Sequence, residues 1–111
     1  MSPAARLRRS TDIAAVRASG RSRRGTAFNA KSRPNGAQST RLAVIAPRAV
    51  GSAVKRNRAR RRVREAFRRG FASAPLGPSI DLLITVQPGA QRADFKALEA
   101  EAASLLRELA R

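Results

Sequence analysis

Between Lys55 and Arg69 nine of fifteen residues are basic, and Ala59, Val63, Ala66 and Phe67 recur among them at helical spacing. A helix written this way can bury one stripe about a turn wide and must leave a dense cationic band outside. It needs a layer beneath it and a polyanion above it. Arg56, Arg60, Arg64 and Arg68 fall in a single i, i+4 row. Like charges at that spacing cost a few tenths of a kcal/mol per pair, so the row is unfavourable until an anion arrives. Its steps of about 6 Å are comparable with the spacing of successive phosphates in a nucleic-acid strand, and guanidinium grips phosphate bidentately. A merely solvated face or a disordered basic run leaves the apolar stripe unexplained. A localisation tag leaves Asn57, Glu65 and Phe67 unexplained.

The rest of the chain agrees. Lys and Arg number 24 against 7 Asp and Glu, a net charge of +17 on 111 residues. That exceeds what solubility asks for and points to nucleic acid. Residues 1–70 carry 20 basic and 2 acidic residues, whereas residues 71–111 carry 4 and 5. The first part is built to meet the polyanion; the second is ordinary folding material. With no Cys and no His, disulfides, thiolate or imidazole metal sites and His-based acid–base chemistry are excluded. Metal-assisted hydrolysis by the protein itself would rest on Asp12, Asp81 and Asp94, which lie on separate elements, so a self-sufficient nuclease is disfavoured. No apolar run approaches the roughly 18–20 residues that span a bilayer. The basic helix has too narrow a stripe, and the chain no Trp, to anchor in lipid. No apolar stretch follows Arg6, Arg8 and Arg9 as in a secretory signal. A cytoplasmic protein with neither membrane nor disulfide partner is expected.

One domain fits this length. Residues 1–9 read as a disordered basic arm and residues 10–111 as a single RNA-binding domain. Ser10 and Thr11 are candidate N-caps for a short helix carrying Ile13 and Val16, stopped at Gly20. Residues 21–33 read as one long strand or two short ones around Phe28, followed by a Pro34-Asn35-Gly36 turn. Residues 40–46 form a strand with Leu42, Val44 and Ala46 on one face, ended by Pro47. The basic helix follows from about 54 to 69 and stops near Gly70; residues 74–79 form a loop. Residues 80–86 alternate clearly, with Ile80, Leu82, Ile84 and Val86 opposite Asp81, Leu83 and Thr85. Pro88-Gly89 turns the chain into a last helix from about Asp94, whose face is Phe95, Leu98, Ala102, Leu105, Leu106 and Leu109. The order predicts an α+β two-layer sandwich. A small mixed sheet is covered on one face by helices, and its other face is left partly open, where single-stranded nucleic acid could lie.

Val50-Gly51-Ser52-Ala53-Val54-Lys55-Arg56-Asn57, followed by Arg61-Arg62, Arg64-Glu65 and Phe67-Arg68, resembles the signature of the bacterial ribonuclease P protein component family. Arg6-Leu7-Arg8, Asp12, Arg41-Leu42-Ala43-Val44, Asp81, Pro88-Gly89-Ala90 and the 95–109 segment extend the resemblance along nearly the whole chain. It implies an αβββαβα fold, also found in one ribosomal-protein domain, with a left-handed strand–helix–strand crossover that runs against the usual hand. It implies a ribonucleoprotein endonuclease in which the RNA subunit cleaves with its own Mg2+, the protein holding no cofactor. The protein's partners would be that ribonuclease P RNA and precursor tRNA. Contacts to the RNA subunit would fall on Arg56, Asn57, Arg60, Arg61, Arg62, Arg64 and Arg68, together with Lys55, Arg58 and Arg48. Glu65 would be a local charge clamp and Phe67 part of the core. The 5′ leader of precursor tRNA would lie on the open face against Ile13, Arg17, Phe28, Lys31 and Arg33.

Two departures matter. Ile13 and Arg17 on the first helix and Lys31 on the strand stand where the family often has aromatics, and stacking is worth roughly 1–3 kcal/mol per base. Arg48 and Ala49 replace a usual lysine pair. Leader binding is therefore expected to lean on charge and on apolar packing at Ile13. A structural ribosomal-RNA binder is the alternative reading, separated from the first by the Arg-Asn motif and not by composition.

Overall fold

The computed structural model describes residues 5–36, 40–73 and 79–109. Its strands and helices are β1 (Ala5–Arg6), α1 (Ser10–Ser19), β2 (Arg21–Arg24), β3 (Phe28–Pro34), β4 (Arg41–Ile45), α2 (Ala53–Ser73), β5 (Ile80–Val86) and α3 (Phe95–Leu109). The sheet order is β1-β4-β5-β3-β2, with β4 parallel to β5 and to β1 and the remaining pairs antiparallel. The α+β class, the mixed sheet and the αβββαβα order match the sequence reading, preceded by the two-residue β1. Residues 21–33 resolve into two strands. Of the expected 74–79 loop, residues 74–78 lie outside the described residues, as do residues 1–4 of the arm.

Alternation along the strands builds two cores. On one face Phe28, Ala30, Leu42, Val44, Leu82, Ile84 and Val86 meet Ala59, Val63, Ala66 and Phe67 of α2 and Leu98, Ala102, Leu105 and Leu106 of α3, all buried. The Phe67 ring sits 5.1 Å from that of Phe28. On the other face Leu7, Val16, Ala43 and Leu83 form a small cluster flanked by Ile13 and Ile45. Thus α2 and α3 cover one face as expected, while α1 crosses the opposite face and leaves the rest of it open.

Three local expectations are corrected. The arm is not disordered throughout: Ala5 and Arg6 pair with Arg41 and Leu42. The Leu7 N–H donates to the Leu42 carbonyl at 2.8 Å, and its side chain is buried. Charge density suggested disorder, but one leucine with a free sheet edge beside it suffices to dock the segment. Neither Ser10 nor Thr11 caps α1; Arg9 holds that position without a side-chain hydrogen bond. Finally, α2 does not stop at Gly70 but runs on to Ser73. Gly70 lies where α3 passes close: a Cβ there would come within 2.7 Å of Leu106 Cδ1. At Gly51, between a 3-10 turn (Arg48–Val50) and α2, it is conformation that demands glycine, with φ at +137.

Leu7→Ala is expected to cost about 2–3 kcal/mol of stability in urea unfolding, as for truncation of a core leucine. An unchanged midpoint would mean that the segment is not docked.

Candidate RNA interface

The 21 residues of α2 are pinned by their apolar stripe, and this sorts their cations into three groups. The first is spent on the fold. Arg62 donates to the carbonyls of Ala90 (3.0 Å) and Ala93 (2.5 Å), tying α2 to the segment before α3. Arg62, expected among the RNA contacts, thus has its guanidinium engaged by backbone carbonyls of the segment before α3. The second group is clamped. Glu65 accepts from Arg68 Nε at 2.8 Å and from Arg69 Nε at 3.3 Å. Its carboxyl is held down to about 2, chiefly by the hydrogen bond from Arg68. The clamp is thus intact above the usual carboxylate range and lost only as pH falls towards 2. Glu65 and Phe67 play the structural parts expected of them, and Arg68, expected among the RNA contacts, is exposed and paired with Glu65. Arg69 also lies 3.7 Å from Glu99 and stacks over Phe95, 4.7 Å from the ring centre.

The third group is free of carboxylates. Among the described residues Arg48, Lys55, Arg56, Arg58, Arg60, Arg61 and Arg64 have no acidic partner. Asn57 accepts from Arg60 through its side-chain oxygen. Arg56, Arg60 and Arg64 form the half-buried part of the predicted row, while Asn57, Arg58 and Arg61 stand exposed beside them. Arg64 loses proton affinity through burial and through its neighbours Arg6 and Arg60. Arg6 was missed by sequence reasoning, being assigned to the arm. Its β1 register opposite Leu42 carries it to the α2 side of the sheet, where it extends the row.

The opposite face holds most of the second predicted group. Lys31 and Arg33 project from β3 on the side away from α2, and Ile13 and Arg17 come from α1. The Lys31 ammonium donates to the Arg17 carbonyl at 2.8 Å, closing the last turn of α1 onto the sheet, a favourable place for a cation. Arg17 and Arg33 are exposed; Ile13 is half-buried against the small core. Phe28 does not belong here. It is 2 % exposed and faces α2, because one residue along a strand reverses the face. Lys31, three residues on, therefore points the other way.

Sequence reasoning also missed how this face is braced. Arg41 donates to Asp81 through Nε and Nη2, both at 2.7 Å, and to Asp12 of α1 through Nη1 at 3.2 Å. Asn35 donates to Asp81 at 2.9 Å. An acid inside the apolar run of β5 was the available signal, since buried carboxylates need partners. Among the described residues no three His, Cys, Asp or Glu side chains group as metal ligands would, and no helix is long and apolar enough to cross a membrane.

Residues 1–110 match the family model Ribonuclease P. The chain is 38% identical over 109 residues to the ribonuclease P protein component of Chloroflexus aggregans, covering 97% of this chain and 79% of that one. It is 34% identical over 90 residues to that of Syntrophobacter fumaroxidans, covering 81% and 75%. The fold superposes on the RNase P protein from Thermotoga maritima with a TM-score of 0.80 at 28% identity, over 93% of this chain and 96% of that one. The chain belongs to the bacterial ribonuclease P protein component family, and its function is that of a protein subunit of ribonuclease P in the 5′ processing of tRNA.

Proposed function

We propose that this chain binds the ribonuclease P RNA through the carboxylate-free part of α2 and holds the 5′ leader of precursor tRNA on the opposite sheet face. Cleavage belongs to the RNA subunit and its Mg2+, in the cytoplasm. The observation that carries the reading is the division of cations by face. Arg56, Arg58, Arg60, Arg61 and Arg64, with Arg6, Lys55, Arg48 and Asn57, gather on and beside α2 without acids. Arg17, Lys31 and Arg33 line the open face beside α1. Two basic surfaces separated by a sheet suit two RNA segments, one the subunit and one the substrate. Arg56 Nε is buried without a hydrogen-bond partner among the described residues, whereas buried donors are normally paired. The protein supplies charge neutralisation and positioning, which matter most when Mg2+ is scarce.

The test is precursor-tRNA cleavage at low magnesium by bacterial ribonuclease P RNA, with and without the protein, and by the protein alone. Restored 5′ cleavage by the mixture and none by the protein alone is the expected result. An RNA activity that the protein leaves unchanged would overturn the reading.

Replacing Arg56, Arg60 and Arg64 together by Ala should lower the slope of log affinity for the RNA subunit against log salt by about 2, at roughly 0.7–0.9 per phosphate contact. Arg68→Ala should change that slope much less, because its guanidinium is already held by Glu65. Arg62→Ala should lower the melting temperature instead. Filter binding across a salt series, beside thermal melts, separates the three. Replacing Arg17 and Lys31 together by Ala should weaken binding of leader-bearing precursor more than binding of mature tRNA; equal weakening would refute the leader assignment.

A further inference from the structure

The face assigned to the leader has one wall, α1, that is weakly held. Only Val16 of its ten residues is fully buried, and it packs on just three buried residues, Leu7, Ala43 and Leu83. Apolar packing alone leaves the sliding and tilt of such a short helix poorly fixed. Two polar tethers complete the attachment, one at each end. At the C-terminal end Lys31 of β3 holds the Arg17 carbonyl. At the N-terminal end Asp12, the one acidic residue of α1, takes the third donor of Arg41.

Arg41 is itself immobilised. Its bidentate bond to Asp81 fixes the orientation of the guanidinium over the sheet, and the 8 % exposure of the Asp81 side chain shields that bond from water. Hydrogen bonding to Asp81 raises the proton affinity of Arg41 further. The register places Asp81 between Arg41 of β4 and Arg33 of β3. Asp81 thus holds Arg41 against the sheet, while Arg33 stays exposed on the same face. The free Nη1 of an oriented guanidinium is a directional anchor, and Asp12 is the group it reaches.

We infer that Asp12, Arg41 and Asp81 form a rigid strut that fixes the position of α1 over the sheet, and so act as positioning residues for 5′-leader recognition. None of the three needs to touch RNA. Their effect passes through the placement of Ile13 and Arg17 relative to Lys31 and Arg33. This inference rests on the leader reading given above, and it goes beyond it by naming what sets the geometry of the cleft.

Asp12 is the place to test it. Its bond is the outer end of the strut, the Asp12 side chain is partly exposed, and its loss leaves the Arg41–Asp81 pair in place. Holoenzymes reconstituted with Asp12→Asn and Asp12→Glu proteins are compared with the parent for KM and kcat on precursor tRNA. Affinity for mature tRNA, affinity for the RNA subunit and the protein's melting temperature are measured alongside. Asp12→Asn is expected to raise KM for leader-bearing precursor about five-fold, on the scale of one partly exposed ion pair. The kcat, the affinity for mature tRNA and the affinity for the RNA subunit should stay unchanged, and Asp12→Glu should recover most of the loss. A purely structural role would lower the melting temperature and weaken all the affinities together, which overturns the inference. An unchanged KM also overturns it. The Arg17/Lys31 double variant run in parallel identifies what failed. If it is selective for precursor while Asp12→Asn is silent, only the strut is wrong. If neither is selective, the leader reading falls with it.

Discussion

The packing of four residues, Ala59, Val63, Ala66 and Phe67, against the sheet is the contact on which the rest of the structure depends. They are the means by which a helix with nine basic residues in fifteen is kept on a protein surface at all. Their burial, at 0–1 % exposure, has to outweigh the mutual repulsion of the arginines beside them. Phe67 contributes most area, seated against Phe28 below and Phe71 along the helix. Because three of the four are small, α2 lies close to the sheet, and its flanking cations are forced outward in a fixed pattern. Burial by shape thereby becomes orientation of charge.

Scarcity of acid then decides which cations are available. Among the described residues Glu65 is the only acid on α2 and holds Arg68 and Arg69 at its C-terminal half, while Glu99 from α3 joins Arg69. Glu108 meets Arg23, and Glu101 accepts from the Ala27 N–H. Asp12 and Asp81 are committed to Arg41. The N-terminal half of α2 is left without a counter-charge. Self-repulsion there costs stability in the free protein, and a polyanion bound there would relieve it.

The two faces of the sheet divide the labour between the main core and the cleft. The face toward α2 and α3 is saturated with apolar side chains. The face toward α1 carries a smaller cluster and a polar brace, and most of its exposed positions are charged. An aromatic platform is absent from Arg17 and Lys31, and the hydrogen bond from Lys31 to the Arg17 carbonyl shows what the exchange achieves. The lysine ties α1 to the sheet instead of offering a stacking surface.

Sequence patterning determined the elements whose chemistry is local. The alternation of residues 80–86, the stripe of α2, the heavy face of α3 and the Glu65 clamp are all set by spacing along the chain, because side-chain direction repeats every 2 or 3.6 residues. Tertiary structure decided everything that depends on which element passes beside which. It docked Leu7 at a sheet edge, carried α2 through Gly70 where α3 crosses, turned Phe28 into the core and set Arg62 against the carbonyls before α3. It also joined Asp12, Arg41 and Asp81, which are 29 and 40 residues apart in the chain. Charge in a sequence shows that an anion is wanted. Which guanidiniums remain free to meet it depends on acids, carbonyls and apolar surfaces that only the folded chain brings within reach.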